Sequence, residues 1–206
     1  ISSRTGICQR HISEGETTSE MAAKAAVAAL EDAEVSPEEV ELIIVATMTG
    51  DEAMPGTACK VQKEIGAVHA ACFDLSAACT GFVFALNTAN AYLASGMYRN
   101  ALVIGADMVS KVIDWTDRAT CVLFGDGAGA VVLTCTDKKG YRFISHSDGS
   151  MGNALMLEHH YDRNLETEQH RLSIEQSASS KVCMDGQAVF RFAVRRVPQV
   201  IEEVLC

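Results

Sequence analysis

The amino-acid sequence predicts an α/β fold, in which a largely parallel sheet is covered by helices on both faces. Short continuous apolar runs, which are typical of strands buried on both sides, recur along the chain, for example at residues 42–47 and 101–106. Longer segments with helical patterns separate these runs. Strands that alternate with helices indicate a parallel sheet with crossover helices.

The first long helix is marked by a capping box at residues 17–20, Thr-Thr-Ser-Glu, in which Thr17 caps the helix and Glu20 reaches back to it. Alanine-rich sequence continues this helix to about Ala33. Ser36 then precedes a proline, which suits the first position of a short helical turn.

The elements that follow alternate between strands and helices. In chain order they are a strand at 42–47, a helix at 57–65, a strand at 70–75, a helix from Cys79 to about Gly96, a strand at 101–106, and a pair of strands at 128–135 and 141–146 joined by a polar turn at 137–140. A last helix is predicted over 186–205, and Pro198 should kink or divide it.

The alternating pattern ends at residues 151–180, which are polar and charged. We therefore expect residues 1–150 to form one domain, 151–180 to be a connection, and 181–206 to begin a second domain. Because the chain starts with Ile1 and not with methionine, we expect it to be an internal piece of a longer protein or a chain whose ends are missing.

Composition excludes several classes of protein. The net charge of −10 argues against a general nucleic-acid binder. No apolar run approaches the roughly 20 residues that a membrane-spanning helix needs, so no membrane association is expected. Most of the eight cysteines lie in apolar segments without a Cys-x-x-Cys pair, which favours reduced thiols in the cytoplasm. His159, His160 and His170 share a polar segment without metal-ligand spacing, so no metal is expected.

The candidate nucleophile is Cys79, which lies where an apolar run passes through small residues into a helix. Backbone N–H groups and the helix dipole at such a turn stabilise negative charge, so a reactive thiolate is expected there. The same N–H groups can bind the oxyanion that forms when the thiolate attacks a carbonyl. Ala77, Ala78 and Gly81 leave room for a substrate. The alternative is a buried, structural cysteine at a helix start.

Residues 76–82, Ser-Ala-Ala-Cys-Thr-Gly-Phe, resemble the nucleophile segment of the thiolase-like condensing enzymes, above all the β-ketoacyl-acyl-carrier-protein synthase III family. Four more segments resemble this family in the same order along the chain, at 4–12, 114–120, 123–130 and 184–190. The resemblance implies a thiolase-like, five-layered α-β-α-β-α fold of two similar halves. This chain would contain mainly the N-terminal half.

The resemblance also implies an acyltransferase activity that initiates fatty acid synthesis. Cys79 would take a short acyl group from acyl-coenzyme A and condense it with malonyl-acyl carrier protein, with loss of CO2. The expected partners are therefore acyl carrier protein and a second copy in a homodimer, and coenzyme A would be a substrate, with no further cofactor. The family's catalytic histidine and asparagine lie beyond Cys206, so we expect residues 1–206 alone to be acylated slowly and not to condense.

Further residues match functional positions of the family. The coenzyme A-binding positions are Arg4, Thr5, Arg118 and Gly186. The acyl-pocket positions are Met54, Val109, Phe124, Met184 and Phe190. The positions for docking of the carrier protein are Arg191 and Arg195, beside Arg196. The resemblance implies that Met54 reaches across the dimer interface. On local sequence alone, these arginines are solvated surface charges and the apolar residues are core.

Two features depart from the family or from a familiar motif. Cys8 stands where many members have a second arginine, and the tryptophan that stacks on adenine in the family would fall before Ile1. The glycine-rich segment 125–129 is not a dinucleotide fingerprint, because it leads into a strand and not into a helix. We expect its glycines to allow close packing of the backbone.

Other functions remain open on the sequence. A sibling condensing enzyme, such as a 3-hydroxy-3-methylglutaryl-coenzyme A synthase or a chalcone-type or quinolone-forming synthase, would use the same cysteine. A non-catalytic partner subunit would keep the fold without needing the complete segment around Cys79. A redox sensor would need a resolving cysteine nearby, and Cys72 lies too far along the strand to be a natural candidate.

Overall fold

The structure, a computed structural model, describes residues 2–136, 141–157 and 181–206, without the side chain of Arg4. The chain divides into two compact units. The sheet unit comprises Gln9–Ser110 and Gly125–Tyr141, and the second unit comprises Ile1–Cys8, Lys111–Phe124 and Arg142–Cys206. The predicted turn at 137–140 and the three histidines at 159, 160 and 170 lie outside the described residues. The predicted domain boundaries stay a prediction.

The regular elements follow the predicted alternation. The helices are α1 (Ser2–Thr5), α2 (Thr18–Asp32), α3 (Thr57–Ile65), α4 (Gly81–Ala94) and α5 (Gly186–Leu205). The strands are β1 (Leu42–Ala46), β2 (Ala71–Leu75), β3 (Asn100–Met108), β4 (Asp126–Thr134), β5 (Leu155–Leu157) and β6 (Val182–Met184). Short 3-10 turns lie at Pro37–Glu39, Ala78–Thr80, Val109–Val112 and Gly149–Ala154.

A four-stranded sheet forms the centre of the sheet unit, with the strand order β2-β1-β3-β4. The first three strands are parallel, with Ile44 of β1 opposite Phe73 of β2 on one side and Val103 of β3 on the other. Strand β4 is antiparallel to β3. The prediction of a largely parallel sheet is therefore confirmed.

Strand β1 is buried on both faces, as its continuous apolar run predicts. Ile43 and Val45 pack in a core that contains residues of α2 and α3. Leu42 and Ile44 pack in a second core, which contains Ala85 and other small residues of α4. The helices therefore cover both faces of the sheet, and this arrangement fixes the start of α4 relative to the strand ends.

The capping box of α2 is confirmed, because Thr17 Oγ1 accepts from Glu20 N at 3.2 Å and Thr17 N donates to Glu20 Oε2 at 2.8 Å. Asp51 also caps this helix, accepting from Thr18 N at 2.8 Å. Asp74 does the same for α3 and accepts from Thr57 N at 2.6 Å. Neither aspartate is next to its helix in sequence, so local capping patterns did not identify them.

Two predictions about the later part of the chain were wrong. Residues 141–146 form no strand; β4 pairs instead with β3, because β3 offers an edge along which all nine residues of β4 are in register. Strand β5 lies within residues 151–180, which were predicted to be an irregular connection, and it pairs with β6, which follows that connection. Pro198 lies within α5 and does not divide it, and a kink at this proline stays a prediction.

Candidate active site

Cys79 is exposed and lies in the 3-10 turn that joins β2 to α4. The preceding residue, Ala78, has a φ of 44°, a left-handed conformation that costs a residue other than glycine about 1–2 kcal/mol. Thr80 holds the turn closed, because its N–H and its hydroxyl both donate to the carbonyl of Ala77, at 3.2 and 3.0 Å. The helix begins at Gly81, two residues later than predicted. A strained, hydrogen-bonded turn therefore presents the thiol to solvent.

Two glycines allow α4 to approach the sheet closely beside this turn. A Cβ atom on Gly81 would lie 3.2 Å from the Ala46 Cβ, and one on Gly105 would lie 3.2 Å from the Phe82 ring. Ala46 ends β1, which runs parallel to β2 and β3. The close approach therefore fixes Cys79 at the carboxyl edge of the parallel strands, the edge at which open α/β sheets bind ligands.

Asp107, near the end of β3, fixes the loop that follows β1. Its carboxylate accepts hydrogen bonds from Met48 N at 2.9 Å, from Thr49 Oγ1 at 2.9 Å and from Thr47 Oγ1 at 3.2 Å. Further along this connection lies Met54, whose side chain is 84% exposed. Sequence analysis did not single out Asp107, because its three donors are about sixty residues away in the chain.

The glycine-rich segment has one position where close packing requires glycine. A Cβ atom on Gly125 would lie only 2.9 Å from the carbonyl oxygen of His11. The same carbonyl accepts from Asp126 N at 2.8 Å. The packing expectation is therefore confirmed for Gly125, whereas Gly127 and Gly129 face open space within the described residues. For those two glycines the expectation was wrong.

Cys72 differs from Cys79 in its surroundings, because it is partly buried. All eight cysteines lie in the described residues, and none is in a disulfide. Burial raises the pKa of the Cys72 thiol to about 11, with Cys59 and Asp74 adding negative charge nearby. Cys72 therefore remains a neutral thiol near pH 7, and a neutral thiol is a poor nucleophile.

The described residues contain neither a metal-ligand cluster nor a membrane-spanning helix. No group of three or more His, Cys, Asp or Glu side chains there is arranged to hold a metal ion. Likewise, none of the helices in that part of the chain is long and apolar enough to cross a membrane.

The predicted site residues divide between the two units. The sheet unit contains Cys79, Met54 and Val109, of which Val109 is buried. The second unit contains Thr5, Arg118, Phe124, Met184, Gly186, Phe190, Arg191 and Arg195. The backbone of Arg4 belongs to α1, but its side chain lies outside the described residues.

In the second unit, Gly186 is the first residue of α5, and Asp185 caps that helix by accepting from Gln187 N at 3.0 Å. Arg191 and Arg195 are exposed and lie one helical turn apart. Arg196 differs from them, because its Nη1 donates to Gln199 Oε1 at 3.1 Å. Phe190 is 67% exposed on the same helix.

Comparison with known proteins shows what this chain is similar to. The family model for 3-oxoacyl-[acyl-carrier-protein (ACP)] synthase III matches residues 73–152, which include Cys79. Over 206 residues the chain is 50% identical to the β-ketoacyl-[acyl-carrier-protein] synthase III of Clostridium acetobutylicum, covering 100% of this chain and 62% of that protein.

Solved structures agree with the sequence comparison. The 3-oxoacyl-[acyl-carrier-protein] synthase III of Aquifex aeolicus is similar with a TM-score of 0.85 at 42% identity, covering 100% of this chain and 61% of that chain. The priming β-ketosynthase of the R1128 polyketide biosynthetic pathway has a TM-score of 0.85 at 38% identity, covering 95% of this chain and 57% of that chain. The prediction of a thiolase-like α/β fold is confirmed. The chain is therefore similar over its whole length to β-ketoacyl-acyl-carrier-protein synthase III proteins, and it spans about three fifths of the length of the relatives that it matches.

Proposed function

We propose that the protein is a condensing acyltransferase that initiates fatty acid synthesis from a short acyl-coenzyme A and malonyl-acyl carrier protein. The observation that carries the proposal is Cys79, an exposed thiol in a strained turn at the start of α4, within the segment that matches the synthase family. Similarity to synthases along the whole chain supports the same assignment.

The proposed reaction has two halves. In the first, the Cys79 thiolate attacks the thioester carbonyl, and the carbon–sulfur bond to coenzyme A breaks, which leaves an acyl-cysteine and free coenzyme A. In the second, malonyl-acyl carrier protein loses CO2, and the resulting carbanion attacks the acyl-cysteine. A β-ketoacyl-acyl carrier protein and the free thiolate are the products. The second half would use the family's histidine and asparagine, which match no position in this chain.

The turn around Cys79 suits the first half-reaction. Helix α4 is 14 residues long, so the positive end of its dipole favours negative charge close to this turn. Free N–H groups at the start of a helix can also donate to the oxyanion of the tetrahedral intermediate. The left-handed Ala78 turns the chain sharply enough to expose the thiol without unwinding the helix.

A homodimer is the second part of the proposal. Strand β2 forms one edge of the sheet, and edge strands are natural sites for pairing with another chain. Met54 is 84% exposed, which is unusual for a large apolar side chain. We propose that the Met54 side chain closes the acyl pocket of the second copy, while Val109 lines the pocket of its own chain. An unbranched methionine suits short straight or branched acyl chains.

Arg191 and Arg195 are proposed to dock the acidic acyl carrier protein, and the double replacement Arg191→Glu with Arg195→Glu tests this. We expect the KM for malonyl-acyl carrier protein to rise about tenfold, since two exposed attractions become repulsions. The KM for acetyl-coenzyme A should not change. Steady-state kinetics at low and high salt measure both values, and the effect should shrink at high salt.

The control for this replacement is Arg142→Glu, which reverses an exposed charge elsewhere in the same unit. It should leave the KM for the carrier protein within about twofold of the unmodified enzyme, because a single exposed surface charge contributes little. An equal rise in both variants would argue against a local docking site on α5.

The proposed function is tested by peptide-resolved mass spectrometry of the full-length protein after incubation with acetyl-, isobutyryl- and malonyl-coenzyme A. We expect an acyl adduct on Cys79 and none on exposed cysteines such as Cys59 and Cys135. The relative yields rank the primers. If Cys79 stays unmodified in a folded sample, the enzyme proposal fails, and a non-catalytic partner subunit replaces it.

A sibling condensing enzyme is the second candidate, because the priming β-ketosynthase of a polyketide pathway has the same fold as this chain. The two candidates share the acyl-cysteine step and differ in the acyl group and in the fate of the product. The ranking of primers and the chain length of the product distinguish them. The redox-sensor alternative is disfavoured by Cys72, whose raised pKa makes it a poor resolving thiol.

We propose that the protein works in the cytoplasm, and the proposal rests on its free cysteines. All eight are free thiols, and several of them are exposed. Exposed free thiols persist in reducing compartments and are uncommon in secreted proteins.

A further inference from the structure

The connection between β1 and α3 contains Met54, an apolar side chain that is strongly exposed. Packing against a core does not hold such a side chain, so the backbone of the connection has to define its position. Asp107 fixes the start of the connection through the backbone of Met48. The accuracy with which Met54 is placed therefore depends on what holds the chain closer to it.

Asp51 fixes the connection just before Met54. Its carboxylate accepts hydrogen bonds from Thr18 N at 2.8 Å and from Ser19 N at 3.3 Å, at the start of α2. The Lys60 ammonium lies 3.5 Å from the same carboxylate, and the Asp51 side chain is only 8% exposed. Because these bonds are largely shielded from water, they hold this part of the connection firmly against α2.

Asp74 fixes the connection just after Met54. One oxygen of its carboxylate accepts from Thr57 N at 2.6 Å, and the other accepts from Ala58 N at 2.7 Å. A Cβ atom on Gly56 would lie 3.2 Å from the same carboxylate, so the backbone there packs directly against it. Met54 is therefore held between two carboxylate anchors, one on either side of it in the chain.

The second anchor does more than cap helix α3. A local side chain at the N-cap position would be enough for capping, but the N-cap residue is Gly56, which has no side chain. The cap comes instead from Asp74, which is 16 and 17 residues away from the two N–H groups that it accepts from. This contact ties the end of the connection to the sheet, which a local cap would not do.

The strand that provides this anchor also leads into the nucleophile turn. Asp74 belongs to β2, and all five residues of β2 are in register with β1, with Asp74 opposite Val45. Cys79 follows Asp74 by five residues. One strand of the sheet therefore positions both the thiol and, through Asp74, the connection that contains Met54.

We propose that Asp74 is a positioning residue for the acyl pocket, because it fixes Met54 so that each pocket of the homodimer is closed at a defined depth. This inference rests on the proposed function, in which Met54 closes the pocket of the second copy. Asp74 touches no substrate and acts through Met54. Its replacement should therefore relax the selectivity for short acyl chains and leave Cys79 reactive.

The test compares kcat/KM for acetyl- and hexanoyl-coenzyme A in the full-length protein. Met54→Ala should lower the acetyl-to-hexanoyl ratio at least about tenfold, because a deeper pocket accepts the longer chain. Asp74→Asn replaces one acceptor oxygen by a donor, which cannot bond to an N–H group, and should lower the ratio at least about fivefold. Adding Asp74→Asn to Met54→Ala should change the ratio less than about twofold, since both replacements act on one contact.

The matched control is Glu41→Gln, the same change from carboxylate to amide at the opposite end of the parallel strands. Glu41 accepts from Arg99 N at 2.7 Å and from Arg99 Nε at 2.6 Å, so it too joins distant segments of the sheet unit. Its ratio should stay within about twofold of that of the unmodified enzyme. Peptide-resolved hydrogen exchange should rise over residues 52–58 in Asp74→Asn and not in Glu41→Gln.

Several results would overturn the inference while the unmodified enzyme still acylates Cys79, so that the proposed function stands. One is an unchanged ratio in Met54→Ala or in Asp74→Asn. Another is an effect of Asp74→Asn that is equally large with Met54 present and absent. Loss of the dimer in Asp74→Asn, measured by light scattering, would mean that Asp74 supports the interface and not the position of Met54. If no acyl-coenzyme A acylates Cys79, the proposed function itself fails, and the selectivity role of Asp74 fails with it.

Discussion

Replacing Cys79 by alanine is expected to lower the rate of acyl transfer from acetyl-coenzyme A by at least about a thousandfold, since the nucleophile that forms the covalent intermediate is removed. Cys79→Ser should be nearly as inactive, because an alcohol is far less nucleophilic than a thiolate near pH 7. Single-turnover release of coenzyme A, measured with a thiol reagent on desalted protein, gives the rate for each variant. Neither change should unfold the protein, because the side chain is exposed.

The matched control is Cys59→Ala, which removes another exposed thiol of the same unit from helix α3. Its acyl-transfer rate should equal that of the unmodified protein within about twofold, as for most exposed substitutions. Circular dichroism spectra should be identical for all three variants. Acyl transfer by Cys79→Ala at more than a tenth of the normal rate would mean that another residue is the nucleophile.

Much of the sheet unit could be predicted from the sequence because its signals are local. The buried strand at 42–47 is a continuous apolar run, and the structure places β1 there with every residue buried. The capping box at Thr17 predicts the first residue of α2 correctly, because both of its hydrogen bonds join residues that are three apart in sequence. Helix α3 likewise occupies the predicted range, 57–65.

The partner of β4 could not be predicted in the same way. The polar turn at 137–140 indicated a hairpin with the next apolar segment, because hairpins are recognised from turn residues alone. The edge that β4 occupies belongs to β3, which begins 26 residues earlier in the chain (Asn100 against Asp126) and offers nine residues for pairing. Strand pairing is decided by which edge is open in the folded chain, and a local pattern does not carry that information.

The candidate site likewise combines features that are local in sequence, which could be predicted, with contacts between distant residues, which could not. The motif around Cys79 is local, so the start of the helix that follows Cys79 could be predicted to within two residues, and Cys79 could be singled out as the candidate nucleophile. Asp107, which fixes the loop after β1, and Gly125, which packs against the His11 carbonyl, act across large separations in sequence. Such residues are recognisable only when the fold has brought their partners together.

Replacing Ile44 by alanine is expected to destabilise the protein by about 3–4 kcal/mol, within the range for large-to-small changes in a packed core. Ile44 is fully buried in β1, the strand that lies between β2 and β3. Its side chain belongs to the core formed with α4, where the neighbouring residues Ala85 and Ala89 are too short to fill the space left behind. Urea unfolding of the full-length protein, followed by circular dichroism, measures the change in free energy.

The control is Val131→Ala in β4, which trims a β-branched residue that is 37% exposed and should cost less than about 1 kcal/mol. Ile44 is remote from Cys79 in sequence but packs with α4, the helix that starts beside Cys79. The acylation rate of the Ile44→Ala variant therefore distinguishes a loss of core stability from a change at the Cys79 turn. If the cavity only weakens the core, the rate per folded molecule at Cys79 is unchanged well below the unfolding transition. The packing of α4 against the sheet fixes the position of the Cys79 turn. A fall in the acylation rate with the fold intact would therefore mean that the core under α4 also holds this turn in its reactive conformation.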